Sequence, residues 1–148
     1  MTADADGSKL VIRRRIAAMR EELFEQWTDL ESMRVWMCPD DIVSTDVLMD
    51  LRVGGPLLIT MRSPTHAHEH RGEFTIIDRP AKLAFTWIAE ATDSRPTLVT
   101  VEFFEVSEAE SDLVLTHDKL PGTEVRDRHR GGWNQIVGRL EQFLQSKR

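Results

Sequence analysis

The sequence predicts an α+β domain in which a curved antiparallel sheet of about seven strands wraps around one long C-terminal helix, with two short helices after the first strand. Three observations carry this. Apolar residues recur with a period of two through most of the stretch from Ile42 to His117, the mark of strands with one buried face. Gly, Pro and Asp clusters cut that stretch into short segments, and strands joined by such short turns pair antiparallel. The chain after Pro121-Gly122 switches to helical spacing and is the only large element available to cover the sheet.

From Lys9 to Ile16, Leu10, Ile12 and Ile16 share one parity and predict the first strand. Met19 to Trp27 reads as a helix, since Leu23, Phe24 and Trp27 cluster on one face, and Leu30 to Trp36 reads as a second, stopped by Pro39. The next strand is expected from Ile42 to Val53, with Val47, Met49, Leu51 and Val53 in register, ended by Gly54-Gly55-Pro56. Leu57, Ile59 and Met61 form the following strand, with a turn at Ser63-Pro64-Thr65. Phe74 and Ile76 close the strand after it, and Asp78-Arg79-Pro80 turns the chain again. Leu83, Phe85 and Trp87, then Val99, Val101 and Phe103, then Leu113, Leu115 and His117 give three more strands. In the final helix Trp133, Ile136, Val137, Leu140, Phe143 and Leu144 share a face, and His129-Arg130-Gly131-Gly132-Trp133 is placed at its opening.

A chain of 148 residues suits one domain, taken as residues 9–147, with 1–8 a small, polar, disordered tail. At 41% hydrophobic it can build its core without a disulfide or a metal, and no cofactor is expected. A net charge of −6 with no basic stripe argues against nucleic acid, and Arg13-Arg14-Arg15 reads as a solvated strand face or edge. The single cysteine, Cys38, fits a reducing compartment and reads as a small buried hydrophobe without the features of a nucleophile. No apolar run reaches the roughly 20 residues of a membrane span, and the N-terminus lacks the order of a signal peptide, so the expected setting is the cytoplasm.

Trp36-Met37-Cys38-Pro39, Asp50-Leu51-Arg52-Val53-Gly54-Gly55, Gly72-Glu73-Phe74 and Gly132-Trp133, in this order and spacing, resemble the heat-shock protein 90 ATPase-activator-like (AHSA-type) family. That family belongs to the START-like, helix-grip (SRPBCC) superfamily, which also holds polyketide cyclases and lipid carriers. The resemblance runs from about Lys9 to Leu144. It implies a helix-grip (START/Bet v-like) fold with a deep pocket between the concave sheet face and the C-terminal helix. It also implies a small hydrophobic or amphipathic ligand, with binding ahead of catalysis. The alternatives are a polyketide cyclase/dehydratase- or hydrolase-like enzyme in the same pocket, and a chaperone-interacting or stress-response module. The co-chaperone that names the family carries an additional N-terminal domain, for which 148 residues leave no room. A homodimer stays open.

The inward aromatic and sulfur-bearing set, Trp36, Met49, Met61, Phe74, Phe85, Trp87, Phe103 and Trp133, with Val137 on the helix, reads either as core or as the lining of that pocket. His117 points inward by parity. It is expected at the pocket mouth, where it would orient a ligand or serve as acid or base in an enzyme. The alternative is a histidine satisfied by Asp118 or a backbone carbonyl. The run Thr65-His66-Ala67-His68-Glu69-His70 holds three of the five histidines. His66 and His68 form an H-x-H pair able to grip one zinc, but a complete site needs a carboxylate or His117 from another strand. No second cluster of ligands is visible in the sequence, so no metal is expected. The run is read as a hairpin whose His70 sees the pocket. Asp50 and Arg52 read as an outward ion pair.

Overall fold

The computed structural model describes residues 9–148, so the expected tail at residues 1–8 lies outside the described residues. The chain runs β1 (Leu10–Ile16), α1 (Arg20–Gln26), α2 (Leu30–Trp36), β2 (Ser44–Met49), β3 (Pro56–Arg62), β4 (Ala67–Asp78), β5 (Lys82–Ala89), a 3-10 turn (Glu90–Thr92), β6 (Thr97–Glu105), β7 (Ser111–Asp118) and α3 (Thr123–Ser146). The strands form one antiparallel sheet in the order β1-β7-β6-β5-β4-β3-β2. Six strands are a succession of hairpins, and β1 closes the far edge beside β7. The expected fold class is the observed one.

The helix packs along the concave face because its apolar residues recur every three or four positions: Trp133, Ile136, Val137, Leu140 and Leu144 are buried against the sheet. Opposite them stand Leu10, Ile12 and Ile16 of β1, Leu113 and Leu115 of β7, and Val99, Val101 and Phe103 of β6. Asp29 caps α2, accepting from Glu31 N at 3.2 Å and from Ser32 Oγ at 2.9 Å. Within the arginine run, Arg15 pairs with Asp112 on β7, while Arg14 shares the inward parity and meets Glu141 of α3 at 3.3 Å. An inward-pointing charge on an edge strand discourages pairing with another sheet.

Two expected boundaries and one parity change. β2 ends at Met49, not Val53, because Asp50 N already bonds to the Pro56 carbonyl and Gly55 N to the Arg52 carbonyl. Gly55 presses so close to the Asp50 carbonyl that a Cβ would sit 2.1 Å from that oxygen, so only glycine closes this turn. Leu51 and Val53 are therefore exposed loop residues, and Asp50 and Arg52 form their outward ion pair there at 2.6 Å. On β4 a register shift between Phe74 and Ile76 reverses the parity: Ile76 turns out and Ile77 packs on the core. Finally, α3 begins at Thr123, so His129 to Trp133 lie inside the helix, where their amide groups are already engaged. Gly131 and Gly132 make no close approach to the sheet. A Cβ on Gly131 meets nothing within 4 Å, and one on Gly132 meets only Pro39 Cβ, at 3.9 Å.

Among the described residues no helix is long and apolar enough to cross a membrane.

Candidate functional site

On α3, His129, Gly132, Trp133 and Ile136 fall at i, i+3, i+4 and i+7 and so face one way. They face Met61 of β3, His70 of β4 and Trp87 of β5, and between them lies a cavity of about 230 Å³. Pro39 and Asp40, in the loop after α2, form its outer lip, and Ala91 and Arg128 its remaining rim. The lip is clasped to the helix. Asp40 N donates to Gln135 Oε1 at 2.6 Å, and Gln135 Nε2 donates back to Asp40 Oδ1 at 2.9 Å. Gly132 leaves room between helix and lip, since any larger side chain would grow toward Pro39.

The pocket is shorter than the deep one the resemblance implies. Trp27, Trp36, Phe24, Phe74, Phe85 and Phe103 fill the interior and are essentially inaccessible. The rings of Trp27, Trp36, Phe74 and Phe85, with those of the cavity wall, make one continuous run. His70 stacks on Trp87 at 4.7 Å between centroids, Trp87 lies 5.2 Å from Trp133, Trp133 is 6.2 Å from Trp27, and Trp27 is 4.8 Å from Trp36.

Of the residues singled out in the sequence, Met61, His70, Trp87 and Trp133 stand on the cavity wall. Trp36, Phe74, Phe85, Phe103 and Val137 stand in the core, and Met49 is half-buried against it on β2. His117 is not at the pocket mouth. It is fully buried behind Trp133 and Trp87, and both its nitrogens are engaged: Trp133 Nε1–H donates to Nδ1 at 3.0 Å, and Nε2 lies 2.7 Å from Thr97 Oγ1. An indole is only a donor, so Nδ1 must carry the lone pair and Nε2 the proton. Thr97 Oγ1 then accepts from Nε2–H and donates to the Trp87 carbonyl at 2.6 Å. Burial, with the adjacent His129 second, pushes this imidazole down to about 3. It is the satisfied histidine of the alternative reading, with Thr97 and Trp133 as partners in place of Asp118. No ring nitrogen is left for acid–base chemistry.

With Asp40 and Arg128 at the rim, the polar side chains on the inner wall are His70 and His129. His70 Nδ1 lies 3.2 Å from the Ile59 carbonyl and His129 Nδ1 2.8 Å from the Val125 carbonyl. A carbonyl only accepts, so each Nδ1 carries the proton and each Nε2 is an acceptor. Burial pushes His70 down to about 4, against the Ile59 carbonyl, and it also lowers His129, with Arg128 adding to the effect. Both are neutral at pH 7. Sequence reading missed His129, although its spacing of four and seven from Trp133 and Ile136 placed it on their face.

Cys38 is half-buried, not fully, with its Sγ 3.3 Å from Thr45 Oγ1. The histidine run is a hairpin as expected: Ser63 N bonds to the His66 carbonyl, and β4 starts at Ala67. His66 and His68 lie with ring centroids 4.6 Å apart, and Glu90 of the 3-10 turn brings Oε1 to 4.0 Å from His66 Nε2.

Protein NE0264 of Nitrosomonas europaea has a similar structure, with a TM-score of 0.79, 21% identity, and 95% of this chain and 96% of that one covered. PFC0360w, an HSP90 activator from Plasmodium falciparum, is similar at a TM-score of 0.76 and 27% identity over 94% and 97%. CalU16 of Micromonospora echinospora is similar at 0.68 and 20% identity over 91% and 74%. No curated protein matches the chain. The family described as Activator of Hsp90 ATPase homolog 1-like protein matches residues 17–145, and the chain belongs to it.

Proposed function

We propose that the cavity between β4, β5 and α3 binds a small, largely apolar molecule bearing a hydroxyl or amide N–H. The supporting observation is the pairing of apolar walls, Met61, Trp87, Trp133 and Ile136, with two neutral imidazoles whose Nε2 atoms accept hydrogen bonds. Apolar burial supplies affinity at about 25 cal/mol per Å² before ordering costs, and the two acceptors select orientation. Water occupies about 30 Å³ per molecule, so 230 Å³ suits a ligand, or the buried part of one, of about eight non-hydrogen atoms. Carriage fits this site better than catalysis, because His117 has no free nitrogen, the cavity lining carries no Ser, Thr, Cys or Lys, and burial makes His70 a weak base.

Trp87 and Trp133 make the test direct. Titration with benzyl alcohol or cyclohexanol should change tryptophan emission saturably in the wild type. Gly132→Leu, which fills the gap beneath Pro39, should abolish the response. A linear response shared by both proteins would sink the proposal.

A second reading rests on the likeness to the Plasmodium HSP90 activator and on apolar surface beside the edge strand β2. Val43, Leu48 and Val53 are 68%, 66% and 62% exposed. If that surface serves a chaperone, the chain will stimulate an Hsp90 ATPase and Leu48→Asp will remove the stimulation.

A further inference from the structure

We propose that His66, His68 and Glu90 form a surface site for a zinc-class divalent cation. The sequence shows only the H-x-H pair, and the fold supplies the missing carboxylate. β4 pairs antiparallel with β5 in a register that sets His70 against Ala89, so the residues just beyond β5 return alongside the start of β4. The 3-10 turn that follows projects Glu90 toward His66, and one ligand atom from each of the three residues lies within 4.8 Å of the others.

The distances suit a metal after small side-chain rotations. Bonds of about 2.0–2.1 Å in a tetrahedral arrangement put neighbouring ligand atoms about 3.3 Å apart. His66 and Glu90 are exposed, so closing the present 4.0 Å between Nε2 and Oε1 disturbs no packing. Two imidazoles and one carboxylate favour zinc and its later first-row neighbours over magnesium or calcium, which prefer all-oxygen shells. Three protein ligands leave a fourth position open, as in zinc sites that hold water or an exogenous ligand.

The cluster does not float free of the rest of the fold. The groove it occupies shares His70 and Ala91 with the cavity rim, so a bound cation would sit at the edge of that cavity. It would also tie the start of β4 to the turn after β5. The site stands on its own ligand geometry and does not depend on the cavity being a binding pocket.

The test is calorimetric titration of the metal-free protein with zinc chloride alone at pH 7.5, beside a magnesium chloride control. One zinc per chain should bind, and magnesium should not compete. Losing even an outer partner of a metal ligand costs about 10–100-fold in affinity, so His66→Ala, His68→Ala and Glu90→Gln should each weaken binding at least about 100-fold. Glu73→Gln, further along β4 and outside this groove, should bind as the wild type does, and circular dichroism should show all four variants folded. Absence of zinc binding, equal binding of magnesium, or wild-type binding by Glu90→Gln would each overturn the proposal.

Discussion

Trp133 donates its indole N–H to His117 Nδ1 across 3.0 Å, joining the cavity wall on α3 to β7. The bond makes His117 a structural residue and fixes the face that Trp133 shows to the cavity. Replacing His117 by alanine leaves a buried indole N–H without its acceptor and opens a void. We expect a loss of about 3 kcal/mol of stability in urea unfolding at pH 7.5. His117→Gln keeps an acceptor and a donor and should lose about 1 kcal/mol. Equal losses in the two variants would show that a donor, an acceptor and similar bulk do not replace the imidazole, and that these hydrogen bonds are not what holds the site.

The same histidine makes the fold acid-sensitive. Its folded pKa is lowered to about 3, from an unfolded value near 6.5. Between those limits the unfolded chain binds a proton that the native state refuses, so stability rises with pH and is lost as pH falls through that window. Each unit is worth about 1.4 kcal/mol, so moving from pH 6.5 to 4.5 costs about 2–3 kcal/mol at this residue. Among the described residues His129, 5.0 Å away between ring centroids, is the one titratable group that faces it, and its charge would add to the penalty. The His117→Gln variant should show a shallower loss between pH 7.5 and 4.5 by that amount. Parallel stability curves would show that the acid sensitivity arises elsewhere.

Period-two alternation was enough to place Leu57, Ile59, Leu83, Phe85, Val99, Val101, Leu113 and Leu115 in the core and Met61 on the cavity wall, because one face of each of these strands is turned inward. It failed where tertiary contacts break the period. Val53 continues the β2 rhythm but lies within the turn that Gly55 closes, and Ile76 keeps parity with Phe74 only until the bulge intervenes. Parity also gave His117 its inward direction but not its depth: residues on one strand face range from buried to mouth, and only the position of Trp133 decides between them. Glu90 was invisible as a neighbour of His66 because that contact depends on strand register, which no local pattern encodes.

Gly131 and Gly132 have different reasons to be there, and alanine separates them. Gly131 is an exposed residue inside a helix with open space where a Cβ would go, so Gly131→Ala should stabilise the protein by about 0.8–1 kcal/mol. Gly132→Ala gains a similar helix propensity and adds a van der Waals contact with Pro39 at 3.9 Å, but at the expense of cavity space. Thermal unfolding should rank both above the wild type, while benzyl alcohol binding should weaken only in Gly132→Ala. If Gly131→Ala also weakens binding, the helix itself must flex to admit the ligand.

The clasp between Gln135 and Asp40 controls the lip of the cavity. Asp40 holds a φ of 53°, a left-handed conformation that a non-glycine residue adopts at some cost, and the Gln135 side chain meets both its backbone N–H and its carboxylate. Gln135→Ala removes two hydrogen bonds at an exposed site, so global stability should fall by no more than about 1 kcal/mol. Local opening should change far more, because the loop after α2 loses the side chain that pins it to α3. Hydrogen exchange at the Asp40 amide should accelerate by about tenfold, corresponding to about 1.4 kcal/mol of local stability, while exchange in β6 and β7 stays unchanged. The same variant should release benzyl alcohol faster. Unaltered exchange at Asp40 would show that Pro39, packed over Gly132, holds the lip without the clasp.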